Sequence, residues 1–531
     1  MKKQSIKNMN RFKKVLSIFL ILLFLNPLYS KVLAQTNILD EGRDIIKNNY
    51  VTTVSDYVLG APDLNEMVKR LNDPYSAYFT MEEYSDFIDS VNNTFCGIGI
   101  VIDLIPQGVR LSRVIEDSPA IEAGLKVGDI IVQADDNSLI GISSTEEAIK
   151  YIKGEAGSYV NIVVQRDTEI LHFNIQRRQI NLPTVSSKLL KGKVAYIGIS
   201  SFGSDTGSLF SSSLLKMEDL GAKSYIIDLR YNGGGYVSTA LDIAGHFIGN
   251  SIAVTMEDKF GAFYKYKATS TSSTSHKKLI SKPIVFLTNE YSASASEILA
   301  AAVKDYNKAT FIGTTTYGKG VAQQFFPLSD NSLLKLTVNK FYSPLGNVIH
   351  NTGVSPDFEV KDDEMDSLKV ANLLLSGTSL SQDKSGYMKV NINESEFYID
   401  LKMARSEEYF PTFTYILSKN TIHTNKILQA FSNYTILSDL EKDINVDKYF
   451  SVNFNKPVDE DSIKSQGIEL MSEITGKRIP LEFDIVSNTV RVTPMEKLEK
   501  AQTYYLIVND NVRDRKGKSI SKGTIIKYIV P

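Results

Sequence analysis

The stretch Tyr291-Ser292-Ala293-Ser294-Ala295-Ser296-Glu297-Ile298-Leu299-Ala300 decides how the centre of the chain folds. It follows an apolar run, Pro283 to Thr288, that is typical of a buried strand, and it continues into residues that favour a helix. A serine in this stretch is therefore predicted at a strand-to-helix turn. Free N–H groups at the start of a helix can stabilise an oxyanion, which indicates nucleophilic chemistry. A serine-rich helix cap without catalysis is the alternative.

Strand-like apolar runs alternate with helical segments around this stretch. The runs are Val194–Ile199, Ser224–Leu229, Pro283–Thr288, Thr310–Gly313 and Leu333–Val338. Such alternation favours a sheet covered by helices, so residues 181–361 are predicted to form an α/β core.

A nucleophilic serine needs a base, and a lysine is the best candidate. The five histidines lie in no recognised triad motif, and the chain has no G-x-S-x-G elbow. Lys319 lies between two glycines in Thr316–Gln323, which lets the backbone pass closely and directs the amine inward. A lysine acts as a base only when it is neutral, and burial favours the neutral form. An exposed loop lysine is the alternative.

A phosphate-binding loop competes for the same lysine. Residues 313–319 match the spacing GxxxxGK. Gly320, however, replaces the Ser or Thr that would bind magnesium, and the following residues look extended rather than helical. Nucleotide binding is therefore disfavoured.

A glycine-rich segment further upstream predicts a peptide-binding module. In Phe95-Cys96-Gly97-Ile98-Gly99-Ile100, two glycines open a strand, so that backbone N–H groups can converge on a carboxylate. Together with Ser118-Pro119-Ala120, Ala123-Gly124-Leu125 and Val127–Ile131, this segment resembles a PDZ domain of bacterial processing proteases. We expect Gly97, Ile98, Gly99 and Ile100 to bind a peptide C-terminus. An ordinary tight turn is the alternative for Gly-Ile-Gly-Ile alone.

The motifs in order resemble the carboxyl-terminal processing (tail-specific) serine proteases over residues 60 to 361. They are Asn72–Ser76, the PDZ segments, Asp228–Gly235, Ser292–Glu297, Gly318–Gln323 and Gly353–Asp357. The resemblance implies that Ser294 is the nucleophile and Lys319 its base, and that Gln323 orients the lysine amine. It also implies that the backbone N–H groups of Ala295 and Gly234 bind the oxyanion.

Two further points depend on this resemblance. Arg166, assigned to the final PDZ strand, is a candidate peptide-binding residue and a candidate contact for gating the proteolytic site. The family usually has Arg-Asn-Asn-Pro-Gly-Gly where this chain has Arg230-Tyr231-Asn232-Gly233-Gly234-Gly235. A glycine thus replaces a proline that restricts φ, which makes the loop more flexible.

The first 34 residues resemble an export signal. Basic residues precede an apolar run from Val15 to Leu25, and Val32-Leu33-Ala34 ends the segment. The segment holds seven Lys or Arg and no acidic residue, so its removal changes the net charge from −2 to −9. We expect an acidic protein outside the cytoplasm, secreted or associated with the envelope of a Gram-positive bacterium. An uncleaved anchor is the alternative. Residues 35–93 have helical spacing and are predicted to form a cap.

The C-terminal third predicts β-rich modules. Residues 362–439 are expected to contain a linker and a small β-rich domain that loosely resembles the N-terminal domain of copper amine oxidases. Residues 440–531 resemble a bacterial Ig-like domain. The predicted fold is thus multidomain α+β, with a helical cap, a PDZ domain at 94–180, a crotonase-like or ClpP-like α/β core and a β-rich tail that includes an Ig-like sandwich.

Composition limits the cofactors and partners. The single cysteine, Cys96, excludes an intrachain disulfide and a cysteine-rich zinc site. No polybasic block follows the N-terminus, so nucleic acid is a poor partner. We expect neither metal nor cofactor, and proteins or peptides with accessible C-terminal tails as substrates. Cell-wall or membrane-surface association and a homo-oligomer are further expectations.

The predicted function is that of an exported serine endopeptidase with a Ser-Lys dyad. The alternatives are a noncatalytic PDZ and Ig-like scaffold and a cell-wall binding or peptidoglycan-directed protein.

Overall fold

The computed structural model describes residues 38–268, 279–377, 386–419, 430–443, 449–473 and 476–530. The predicted signal peptide, residues 1–34, lies outside this part of the chain. The described residues divide into two compact units, one from 38–82 and 323–338, the other from 83–322 and 339–530. No helix among them is long and apolar enough to cross a membrane.

The smaller unit contains the helices predicted for the cap. Its elements are α1 (Ile38–Asn49), α2 (Asp56–Leu59), α3 (Leu64–Arg70) and β1 (Ala77–Phe79). Strand β1 pairs antiparallel with residues 333–335. Ile46, Met67 and Leu334 are fully buried in one apolar cluster, so residues far apart in sequence share this core.

The PDZ domain follows α4 (Met81–Asn92), and its strands pack around a separate apolar core. Its elements are β2 (Thr94–Gly97), β3 (Ile100–Ile105), β4 (Gly108–Val114), α5 (Pro119–Ala123), β5 (Ile130–Ala134), β6 (Asn137–Ser138), α6 (Thr145–Ile152), β7 (Tyr159–Arg166), β8 (Glu169–Gln176) and β9 (Arg178–Asn181). The main sheet has the order β3-β4-β5-β7-β8, and β2 pairs with β9. Two further strands therefore follow Arg166, which corrects its assignment to the final PDZ strand.

The short helix α5 explains two of the PDZ motifs. Ser118 caps the helix by accepting a hydrogen bond from the Ile121 N–H, and Pro119 occupies the first turn. Gly124 ends the helix with φ of 89°, a left-handed conformation that favours glycine.

The α/β core has the alternation that the sequence predicts. Its elements are β10 (Val185–Leu190), β11 (Val194–Ile199), α7 (Thr206–Asp219), β12 (Ser224–Asp228), α8 (Val237–Ile248), β13 (Ile252–Glu257), β14 (Phe263–Lys267), β15 (Ile284–Thr288), α9 (Ala295–Asp305), β16 (Thr310–Gly313), β17 (Val321–Pro327), β18 (Leu333–Tyr342) and β19 (Phe358–Glu359). The main sheet has the order β10-β11-β12-β15-β16-β19 and is parallel from β11 onward.

Both faces of this sheet are covered, which explains its uninterrupted apolar strands. In β12, Tyr225 and Ile227 pack with α7, α8 and α9, whereas Ile226 belongs to a second cluster on the opposite face. This alternation follows from the two-residue period of a strand.

The C-terminal third contributes many of its buried residues to the second apolar cluster, the one that contains Ile226. Its elements are α10 (Ser367–Leu374), β20 (Tyr387–Ile392), β21 (Ser395–Asp400), α11 (Leu401–Ala404), α12 (Phe410–Lys419), β22 (Thr435–Asp443), β23 (Phe450–Asn453), α13 (Glu460–Lys464), β24 (Ile468–Ser472), β25 (Arg478–Ile479), β26 (Leu481–Val486), β27 (Thr489–Pro494), β28 (Thr503–Val508) and β29 (Thr524–Ile529). Two sheets, β22-β29-β28-β24-β25 and β23-β27-β26, form the Ig-like sandwich. Between core and sandwich, the described residues form a hairpin and helices, a mixed composition rather than the β-rich one expected for 362–439.

One apolar cluster joins the core sheet to the tail. It contains Leu287 from β15, Leu373 from α10, Phe413 from α12 and Tyr505 from β28, all buried. The sandwich is therefore attached through packed side chains and not only through a linker.

A buried ion pair in the PDZ domain gives a testable pH dependence. Burial alone would raise the pKa of Asp129, but hydrogen bonds from Arg166 and the Lys126 N–H, with the charge of Arg166, lower this pKa below its usual value. A lowered folded-state pKa stabilises the domain above the unfolded-state pKa of about 4, and this stabilisation is lost as the pH falls through the folded-state pKa.

We therefore expect Asp129→Asn to destabilise the PDZ domain at pH 7 and to cost progressively less below about pH 4. Hydrogen exchange over residues 94–180, measured in urea at pH 7 and at a pH below about 4, tests this. Asp136→Asn, at an exposed aspartate in the turn after β5, is the matched control. An equal cost of Asp129→Asn at both pH values would contradict the assignment.

Candidate active site

Ser294 lies at the turn predicted from the sequence, directly before α9. Its φ of 59° is unusual for a residue other than glycine. Strained backbone of this kind persists where the surrounding structure fixes it, commonly at active sites. The position also places Ser294 at the positive end of the helix dipole.

The buried carboxylate of Glu297 fixes this turn. It accepts a hydrogen bond from the Ser294 N–H at 2.8 Å, so that Glu297, in the first turn of α9, reaches back to the residue before the helix. The same oxygen, Oε2, accepts the Lys319 N–H at 2.8 Å. Its other oxygen, Oε1, accepts from the Thr316 hydroxyl at 2.6 Å and the Gly318 N–H at 2.7 Å. One carboxylate therefore connects the residue predicted as nucleophile to the residue predicted as base.

The loop that carries Lys319 is close-packed, as its flanking glycines predict. A Cβ on Gly318 would lie 3.1 Å from the backbone nitrogen of Thr352, and one on Gly320 would lie 2.4 Å from that of His350. The Tyr317 N–H also donates to the Ser292 carbonyl at 3.0 Å. The side chain of Lys319 is half-buried in this setting.

The glycine loop after β12 lies against Ser294. Gly234 has φ of 108°, and a Cβ there would lie 2.9 Å from Cβ of Ser294 and 3.1 Å from the Ala295 nitrogen. Only glycine fits at so close an approach. Gly234 and Ala295, the two residues predicted to bind the oxyanion, therefore both lie beside Ser294. Within the described residues, the Ala295 N–H has no hydrogen-bond acceptor.

The Gly234 N–H is already occupied in this structure. It donates a hydrogen bond of 2.9 Å to Oδ1 of Asn232, a fully buried residue. The Nδ2 group of Asn232 in turn donates to the Ile199 carbonyl, which fixes the side chain. Binding an oxyanion at Gly234 therefore requires this bond to open. The Asn232 carbonyl in turn accepts from the Ala293 N–H and the Ser296 hydroxyl, which ties the glycine loop to the turn.

Gln323 belongs to the smaller unit, where its Nε2 donates to Oγ1 of Thr337 at 3.3 Å. Its assigned role in orienting the lysine amine stays a prediction.

The PDZ residues predicted to bind a peptide line one cavity of about 320 Å³. Gly97, Ile98, Gly99 and Ile100 form one side of it, and Ile149 of α6 lies on the other. Gly99 has φ of 84°, as a turn that opens a strand requires.

Arg166 lies outside this group of residues. Its guanidinium donates to both oxygens of Asp129, at 2.7 and 2.8 Å, and to the Gly124 carbonyl at 2.8 Å. The groove geometry thus gives no support to peptide binding by Arg166.

Two site residues were not assigned from the sequence. Glu297 could have been identified, because a serine followed three residues later by Glu at a helix start is the pattern of a capping box. The other is Asn232, and the hydrogen bond that it accepts from the Gly234 N–H has no comparable sequence pattern. Within the described residues, no group of three or more His, Cys, Asp or Glu side chains is arranged to hold a metal ion.

Comparisons with known proteins match three parts of the chain to families. Family models match peptidase family S41 at residues 193–360, a PDZ domain at 110–166 and a bacterial Ig-like domain at 432–527. A probable CtpA-like serine protease of Staphylococcus aureus (strain bovine RF122 / ET3-1) is 34% identical over 337 residues, 64% of this chain and 67% of that protein. One from Staphylococcus epidermidis (strain ATCC 35984) is 33% identical over 325 residues, 61% of this chain and 65% of that protein.

Among solved structures, the photosystem II D1 C-terminal processing protease aligns with a TM-score of 0.40 and 22% identity, over 62% of this chain and 93% of that one. The PDZ domain of a carboxy-terminal protease from Vibrio cholerae, in complex with peptide, aligns with a TM-score of 0.16 and 23% identity, over 17% and 99%.

The fold and these matches indicate the class of serine-type peptidases, here with a PDZ domain and an Ig-like tail. The chain belongs to peptidase family S41. It spans about two thirds of the length of the curated relatives that it matches.

We expect Glu297→Gln to lower the free energy of unfolding by about 3 kcal/mol or more. Each carboxylate oxygen accepts two hydrogen bonds, so the amide nitrogen that replaces either oxygen leaves two donors without an acceptor. Chemical denaturation followed by circular dichroism measures this. The control is Glu290→Gln, an exposed carboxylate on the same turn, for which the cost should stay below about 1 kcal/mol. Equal costs for the two variants would refute the role given to Glu297.

Proposed function

We propose that this protein is an exported serine endopeptidase that captures C-terminal tails in its PDZ groove and cleaves with a Ser-Lys dyad. The observation that carries the proposal is the shared bond of the Ser294 and Lys319 N–H groups to one oxygen of Glu297. The backbones of the proposed nucleophile and the proposed base, which lie in different segments, are thereby held together.

In the proposed reaction, the neutral amine of Lys319 takes the proton of the Ser294 hydroxyl as its oxygen attacks the substrate carbonyl carbon. The tetrahedral oxyanion receives hydrogen bonds from the Ala295 N–H and from the Gly234 N–H released by Asn232. Lys319 then gives its proton to the leaving amine. Water attacks the resulting ester with Lys319 again as base, which releases the new carboxyl end and restores the serine.

The PDZ groove supports recognition of a chain end. Its wall contains the glycine turn of Gly97 and Gly99, whose type of backbone suits a carboxylate, together with Ile98 and Ile149. A terminal carboxylate and an apolar last side chain suit these two features. An apolar tail is therefore the proposed recognition element, and cleavage takes place elsewhere in the same polypeptide.

The decisive assay measures cleavage of an unfolded protein that ends in an apolar tail. We expect Ser294→Ala and Lys319→Ala each to lower the rate by roughly 10³-fold or more. The exposed residues Ser208 and Lys308 provide matched alanine controls, which should retain activity. Ending the substrate in two aspartates should raise KM in the parent protein. Folded Ser294→Ala and Lys319→Ala variants that cleave like an active parent would rule out the dyad, and a folded parent that cleaves no substrate would favour a scaffold.

We also propose export, on the strength of the basic and apolar N-terminal segment. Expression in a Gram-positive host should yield extracellular protein that begins at Gln35. Retention of the full N-terminus in the cytoplasm would contradict this. Envelope association and a homo-oligomer stay predictions.

A further inference from the structure

A cavity of about 580 Å³ opens at the carboxyl ends of β15, β16 and β19. Its wall includes residues from the turn after β15, the start of the glycine loop and the segment after β19, among them Tyr231, Glu290, Tyr291, Lys361, Asp362 and Asp363. In α/β sheets, the carboxyl ends of parallel strands are where ligands commonly bind. The mechanism above leaves this cavity unused.

Two exposed tyrosines distinguish the cavity. The rings of Tyr231 and Tyr291 are stacked, with centroids 5.5 Å apart and planes at 18°, yet they are 66% and 57% exposed. The position of Tyr231 is strained, with φ of 62°. An exposed aromatic residue in a strained conformation adds little to stability, so this arrangement points to ligand binding.

The tyrosine pair is held in place by one buried side chain. Oδ1 of Asn289 accepts the Tyr231 N–H at 2.9 Å and the Tyr291 N–H at 3.2 Å. Tyr231 lies three residues before Gly234, and Tyr291 lies three residues before Ser294. The pair is thus built into the two segments that form the proposed nucleophile and oxyanion site.

The charge of the cavity favours a cation. Its wall holds three carboxylates and one ammonium group. Asp362 is paired with Arg230 at 3.0 Å, whereas Glu290 and Asp363 have no ion-pair partner among the described residues. Two carboxylates therefore face the single charge of Lys361. Aromatic faces also attract cations, and arginine in particular stacks on them.

We propose that Tyr231, Tyr291, Glu290 and Asp363 form a subsite for an arginine or lysine side chain of the substrate polypeptide. The proposal rests on the proposed function, because it assigns the cavity to the same substrate. Arginine suits the subsite better than lysine, since its planar guanidinium can stack on a tyrosine ring while it donates to a carboxylate.

Binding is measured without cleavage, on the full chain with Ser294→Ala. The probes are fluorescein-labelled peptides with one apolar C-terminal tail and a single internal residue, Arg, Gln or Phe, moved through successive positions. Fluorescence anisotropy gives Kd for each. At one or two positions, we expect Arg to bind about fivefold more tightly than Gln or Phe.

Three additional substitutions locate the effect. Tyr291→Leu and Asp363→Asn should each reduce the preference for Arg to less than about twofold. Glu364→Gln is the matched control, because Glu364 neighbours Asp363 but lies outside the cavity wall. It should keep the full preference. Circular dichroism checks that each variant is folded.

The subsite is overturned if no position prefers Arg, if Phe binds as tightly as Arg, or if the preference survives in both Tyr291→Leu and Asp363→Asn. Failure of the proposed function appears separately, as a lack of cleavage by the parent protein. An Arg preference that depends on Asp363 would support the subsite even in that case.

Discussion

The site depends on a single buried carboxylate. Glu297 accepts four hydrogen bonds, and its partners come from the start of a helix and from a loop about twenty residues later. Thr316 extends the network, since its hydroxyl oxygen also accepts the Val354 N–H. The motifs around Ser294, Lys319 and Val354 are thus parts of one hydrogen-bonded structure. A buried charge is costly unless its hydrogen bonds are complete, so this network fixes the geometry of all three segments.

The sequence predicted the elements better than it predicted their connections. Strands such as Val194–Ile199 and Thr310–Gly313 have the bounds expected, because buried β-branched runs leave little choice of structure. The turn at Ser294 also followed from local pattern. By contrast, the bond from Gly234 to Asn232 and the pairing of Arg166 with Asp129 depend on side-chain orientation, which residue spacing does not encode. The mixed structure of residues 362–439 was missed because its helices pack against a distant sheet.

The glycine loop after β12 contains two neighbouring glycines with different surroundings. Gly233 leaves the loop free of the fixed φ that a proline would impose, and a Cβ at this position would meet no neighbour within 4 Å. Gly234 beside it has no such space, because Ser294 and Ala295 approach it closely. A glycine with open space therefore lies next to one that packs tightly against the turn at Ser294.

The shared core of sheet and tail has a consequence for orientation. One buried cluster contains Leu287, Leu373, Phe413 and Tyr505. The Ig-like sandwich therefore has a defined orientation relative to the core sheet and is not joined to it by a linker alone. A surface that held the sandwich would at the same time dictate the direction in which the proteolytic face points. The tail would then fix the orientation of the proteolytic domain on that surface and not only its distance from it.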